Sequence, residues 1–103
     1  MNKEFIVEKV NQKRIRWQRH ALQRMMERGI PRSEVTQTLL EGQLIEEYPN
    51  DHPLPSGLFL NISDGIPLHV VVAIDIEAEW CYIITAYRPD SEHFEQDFKT
   101  RKS

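Results

Sequence analysis

The stretch RWQRHALQRMMERGIP, Arg16 to Pro31, sets three basic side chains on one line. His20, Arg24 and Arg28 fall at i, i+4 and i+8, which on a helix stacks an imidazole and two guanidinium groups along a single stripe. Like charges at that spacing repel by about 0.2–0.5 kcal/mol per exposed pair, so local helix stability does not explain them. Either carboxylates elsewhere in the fold offset the stripe, or it waits for an anion. His20 stands at the start of its helix, where unpaired backbone N–H groups attract negative charge. There Arg24 would hold a phosphate while His20 takes or gives a proton.

A second set of groups lies in the β-rich half. His69 sits in PLHVVVAID, a segment whose alternation puts Leu68, Val70, Val72 and Ile74 on one side and His69, Val71, Ala73 and Asp75 on the other. A histidine there is either a hydrogen-bonded structural residue or a proton carrier for hydrolysis or phosphodiester cleavage. Tyr87 and Arg88 end the last strand, with Thr85 on the same side as Tyr87. A tyrosine at a strand end can bond a phosphate or stack on a base, and an arginine can clamp a phosphate with two hydrogen bonds. Arg88 has a plainer reading as the partner of Asp90 or another surface carboxylate. Glu46 and Tyr48 share a face of one strand, and Glu46 would serve either as an acid/base partner of a histidine or as counter-charge to Arg24 or Arg28.

Metal and thiol chemistry are not expected. His20, His52, His69 and His93 fall in different elements without ligand spacing, and no cofactor motif is present. The single Cys81 has no disulfide partner and reads as a compact strand residue.

The elements that must position these groups follow from periodicity. Asn2 to Lys13 carries a weak amphipathic pattern and suggests a first helix; RIRW, Arg14 to Trp17, alternates as a short half-buried strand. From Arg19 the period becomes helical. Ala21, Leu22, Met25 and Met26 make an apolar face, and Gly29 stands where a left-handed C-terminal residue is wanted. Pro31 suits the first turn of the next helix, Glu34 its positive end, and Val35 with Leu39 its buried face, until Gly42 closes it. QLIEEYP reads as a strand and NDHPLPSG as a loop. LFLNI, the turn SDGI and PLHVVVAID form a hairpin, because Asp64-Gly65 supplies the positive φ values of a type I′ turn. That register sets Leu60 opposite His69 and Leu58 opposite Val71. EWCYIITAYRP is a further strand, and DSEHFEQDFKTRKS, with Phe94 and Phe98 at i, i+4, suggests a short final helix. The expected architecture is a single α+β domain over residues 1–103, with helices packed on a largely antiparallel sheet of four to five strands.

The 103 residues, 40% apolar and 28% charged, have the composition of one globular domain. Neither a long apolar span nor a secretory signal is visible, so the cytoplasm and no membrane association are expected. The net charge of −3 argues against a generic polyanion binder, but it is unevenly spread. Met1 to Arg32 holds nine Lys or Arg against three Asp or Glu, and Ser33 to Ser103 four against thirteen, which leaves room for a local basic patch.

Several motifs recur in order: W-x-x-H-A-x-x-R-M-x-E-R-G-I, L-E-G-Q-L-I-E-E-Y-P-x-D, P-x-P-S, P-L-H-V-V and I-I-T-A-Y-x-P-D. This pattern, from about Trp17 to Lys102, resembles a bacterial family called domain of unknown function 4258, itself similar to the RelE, BrnT and MqsR group of toxins. The resemblance implies a RelE-like α+β fold and a toxin-like protein that acts as a metal-independent endoribonuclease. It also implies an antitoxin-like zinc-finger partner. By position it carries over His20, Ala21, Arg24, Met25, Glu27, Arg28 and Gly29, then Glu46, Glu47, Tyr48, Asp51, Ser56, His69, Thr85, Tyr87 and Pro89. On that reading His20, Arg24, His69 and Tyr87 would be catalytic, Arg28, Arg88 and Thr85 would bind phosphate or RNA, and Glu46, Tyr48 and Ser56 would support them. The alternative is a non-enzymatic protein- or nucleic-acid-binding module of the same fold.

Overall fold

The computed structural model describes residues 1–103 and gives the order α1 (Lys3–Asn11), β1 (Ile15–Trp17), α2 (Arg19–Arg28), α3 (Arg32–Glu41), β2 (Gln43–Tyr48), β3 (Ser56–Ser63), β4 (Ile66–Asp75) and β5 (Trp80–Tyr87). The five strands form one sheet in the order β1-β5-β4-β3-β2. The class is α+β as expected, but the sheet is mixed: β1 runs parallel to β5, whereas the other three pairs are antiparallel.

The three helices cover one face. Phe59, Leu68, Val70, Val72, Ile74, Cys81, Ile83 and Ala86 point to that side and pack with Ile6, Ala21, Met25, Ile30, Val35 and Leu39. This alternation is what the pleat demands of a half-buried sheet. The hairpin register holds as expected, with Leu60 opposite His69 and Leu58 opposite Val71. Its turn is the two-residue kind, with φ of 52° at Asp64 and 77° at Gly65. Gly29 ends α2 in the left-handed region at φ 67°. Gly42 ends α3 for a different reason, space: a Cβ there would lie 2.4 Å from the Thr38 carbonyl oxygen and 2.5 Å from that of Leu60.

Two expectations fail. Met26 is 81% exposed rather than buried. It sits about 100° around α2 from Met25, too far to share the inward stripe with Ala21 and Met25. The final segment, Asp90 onwards, is not a helix but a chain of turns with one bridge between Phe94 and Arg101. The Asp90 carboxylate accepts from the backbone N–H of Glu92 and His93, and Asp97 from those of Lys99 and Thr100. Aspartate side chains that bond their own backbone in this way compete with a helical ladder. Phe98, at φ 59°, then turns the chain back.

Candidate functional site

The face of the sheet away from the helices carries Glu46 and Tyr48 from β2, His69 and Val71 from β4, and Tyr82, Ile84, Thr85 and Tyr87 from β5. A bulge where Val71 and Val72 of β4 meet Thr85 and Ile83 leaves Ile84 as the extra residue. The face divides into a closed half and an open half.

The closed half lies under residues 90–103. His69 has no exposed surface. Its Nε2 donates to the Phe98 carbonyl oxygen at 2.6 Å, which leaves Nδ1 of the neutral ring to accept from the Tyr87 hydroxyl at 3.2 Å. The Phe94 ring stands edge-on against the imidazole at 4.7 Å. Burial holds the His69 pKa below its ordinary value, although the Phe98 carbonyl and the Glu46 charge pull it up. Burial likewise raises the Tyr87 hydroxyl. Glu46 receives two hydrogen bonds from Arg101 and one from the Tyr48 hydroxyl, and the Arg101 bond chiefly holds its carboxyl below the usual range. Glu46 is therefore not the counter-charge of Arg24 or Arg28. Both ring nitrogens of His69 are engaged, so no lone pair or proton of it faces solvent.

The open half is a cleft of about 440 Å³. Val71, Ala73 and Ile84 form its floor with the buried Ser56, Tyr82 a wall, and Asp51, His52, Leu54, Asp75 and Gln18 its rim. Ser56 donates to Asp51 at 2.5 Å, so that expected supporting residue belongs to this cleft and not to the His69 group. Trp80, two residues before Tyr82 and hence on the same face, lies 4.6 Å from the Arg14 guanidinium and 4.3 Å from that of Arg16. Arg16 is the register partner of Tyr82.

The α2 stripe runs beside β5. His20 Nε2 accepts from Arg24 Nε at 3.3 Å, and Arg24 also reaches Glu27 at 3.3 Å. Both His20 and Arg24 are exposed. Arg28 turns to the part of β5 that short β1 leaves unpaired: it donates to the Ala86 carbonyl oxygen at 2.9 Å and approaches the Thr85 hydroxyl at 3.4 Å. Arg88 is gripped by Glu34 through two nitrogens, one of them at 2.9 Å, and also donates to the Pro67 carbonyl oxygen at 3.2 Å. The sequence-derived residues thus form three groups: His20 with Arg24, Arg28 with Thr85, and His69 with Tyr87, Glu46 and Tyr48. No hydrogen bond or ion pair joins the first group to the third. No three His, Cys, Asp or Glu side chains gather as a set of metal donors.

The stretch from Trp17 to Arg88, residues 17–88, matches a family described as domain of unknown function, DUF4258. The chain belongs to that family. Neither a curated protein nor a solved structure matches it. The DUF4258 match takes in α2, α3 and β2 to β5, with both halves of the sheet face; α1, β1 apart from Trp17, and the segment over His69 lie outside it. No helix is long and apolar enough to cross a membrane. Sequence reasoning passed over Tyr82, Asp75 and Trp80 as site residues, and matched Asp51 only by position in the motif pattern. The alternation of Trp80, Tyr82 and Ile84 on one face of a strand was the available signal.

Proposed function

We propose that this DUF4258 protein is a toxin-like RNA-binding protein that cleaves RNA without a metal, working at its exposed basic edge. One observation carries the reading: residues 13–32 hold seven Lys or Arg and one carboxylate, and they build edge strand β1 and the adjoining α2. Cations concentrated on one edge of an otherwise acidic chain favour a phosphate backbone at that edge.

His20 and Arg24 are the pair suited to chemistry, since His69 lies sealed. Once Arg24 turns from His20 Nε2 to the phosphate, that nitrogen accepts the proton of a 2′-hydroxyl as its oxygen attacks the adjacent phosphorus in line. Arg24 steadies the charge that gathers on the phosphoryl oxygens. The bond from phosphorus to the 5′-oxygen breaks, the leaving oxygen takes a proton from water, and a 2′,3′-cyclic phosphate remains. The family's likeness to RelE-like toxins supports the toxin part of the reading, and the same resemblance implies an antitoxin-like zinc-finger partner.

The second reading, a binding module without catalysis, is favoured by the engagement of both His69 nitrogens. Labelled RNA incubated with the purified chain, with and without EDTA, separates the two. Chelator-insensitive cleavage that vanishes in the His20→Ala/Arg24→Ala variant, with growth inhibition lost alongside, supports the enzyme. Binding without cleavage supports the module. A double variant that stays fully toxic removes His20 and Arg24 from the chemistry, failure to bind RNA overturns the enzyme, and failure to bind either RNA or a zinc-finger partner overturns both readings.

A further inference from the structure

The basic edge explains where a phosphate backbone would lie, but not the cleft beside it, which is acidic and aromatic. We infer that this cleft receives one unstacked base of the bound RNA and that its best ligand is guanine; the inference rests on the RNA-binding reading above.

Shape comes first. A space of about 440 Å³ falls within the range of small-ligand sites, roughly 300–1,000 Å³, and has room for a nucleobase with its ribose. Val71, Ala73 and Ile84 make its floor largely apolar, and Tyr82 offers a ring on which a planar base can stack. RNA is commonly read in this way, with splayed bases laid on aromatic side chains of a sheet face.

Charge then selects the part of the nucleotide that enters. Asp51 and Asp75 repel a phosphate, so the neutral base occupies the cleft and the backbone stays outside. Arg16 stands at that boundary, paired in register with Tyr82 and stacked on Trp80. It has no carboxylate partner, and the guanidinium is free to meet a phosphate.

Hydrogen bonding selects among the bases. Ser56 holds Asp51 Oδ2, and the Ala78 N–H holds Asp75 Oδ1 at 3.0 Å, so each carboxylate is fixed by one oxygen and keeps the other for a ligand. Carboxylates only accept. Guanine presents two adjacent donors, N1–H and the N2 amino group. Adenine and cytosine present one amino group beside an acceptor, and uracil one N–H between two carbonyl oxygens. Guanine therefore binds best and uracil worst.

The test uses the full chain and short uridine oligonucleotides bearing one central guanosine, adenosine, cytidine or uridine. Every sugar is 2′-O-methylated so that no strand cleaves, and affinity is read by fluorescence anisotropy at fixed salt. The guanosine strand should bind about tenfold more tightly than the all-uridine strand, the low end of what a two-bond base contact discriminates. Asp51→Asn/Asp75→Asn, which keeps shape, should erase that preference and bring the guanosine strand to the affinity of the all-uridine strand. Tyr82→Leu should weaken every strand bearing a purine. Equal affinity for all four strands, or a preference that survives the Asp variants, overturns the base site and leaves RNA binding standing. Absence of binding by every strand overturns both.

Discussion

Arg101 holds Glu46 by two hydrogen bonds, Nε to Oε2 at 2.8 Å and Nη2 to Oε1 at 3.0 Å, across 55 residues of sequence. The pair pins residues 90–103 over the closed half of the sheet, and the guanidinium also lies 4.9 Å from the Phe94 ring that abuts His69. Geometry makes it a clamp, yet solvent screens it: the Arg101 side chain is 53% exposed. Its contribution to stability is accordingly small, about 1 kcal/mol or less. Because the same segment seals His69 through Phe98 and Phe94, access to the ring should depend on it more strongly.

Arg101→Ala should therefore lower the urea midpoint only slightly, while the rate at which diethyl pyrocarbonate modifies His69 rises severalfold. Peptide mass spectrometry assigns the modified histidine, and exposed His20 serves as the internal standard. A His69 as protected as in the parent chain would mean that Phe94 alone secures the segment.

His69 also sets a pH dependence. Burial lowers its pKa below the ordinary 6.5, so the neutral ring is the folded form. At pH well above 6.5 the ring is neutral in both states and its full contribution is present. As pH falls below that value the unfolded chain takes up the proton first, and stability is lost until the folded ring protonates too. Glu46, also lowered, acts in a separate and more acidic window, below its ordinary 4.5. Between about pH 7.5 and about pH 5.5 the parent chain should lose more stability than His69→Gln. Equal slopes for the two chains would remove His69 from the acid response.

Much of this arrangement was legible in local sequence. Asp64-Gly65 fixed the hairpin register and with it the face of His69, because a two-residue turn and a period of two leave no freedom to slip. The terminal segment was misread because Phe94 and Phe98 mimic a helical pair, whereas Asp90 and Asp97 claim the backbone N–H groups a helix would need. The direction of β1 was hidden for another reason: three residues of alternation carry no sign of whether the partner runs parallel. The cleft was hidden because its parts come from the 51–56 segment, β4, β5 and the entry to α2, and only the tertiary fold brings them together.

Arg16 and Arg88 separate a phosphate ligand from a structural cation. Both are arginines near the sheet, and both look equally able to clamp an anion. Arg88 is committed to Glu34, whose carboxyl it holds below the usual range by hydrogen bonding. Its charge is already matched, so binding RNA through it would first require breaking that pair. Arg16 lies on Trp80 without a carboxylate, and a phosphate there would displace only counterions and water. On single strands each phosphate neutralised contributes about 0.7 to the slope of log K against log salt. Arg16→Ala should therefore lower that slope by about 0.7 with little change in folding stability. Arg88→Ala should leave the slope unchanged and instead weaken the fold, since Glu34 loses its partner. The same RNA titrated at several salt concentrations, beside urea unfolding of both variants, checks the contrast. A slope that falls for Arg88 and not for Arg16 would move the RNA path from the β1 edge to the opposite end of β5.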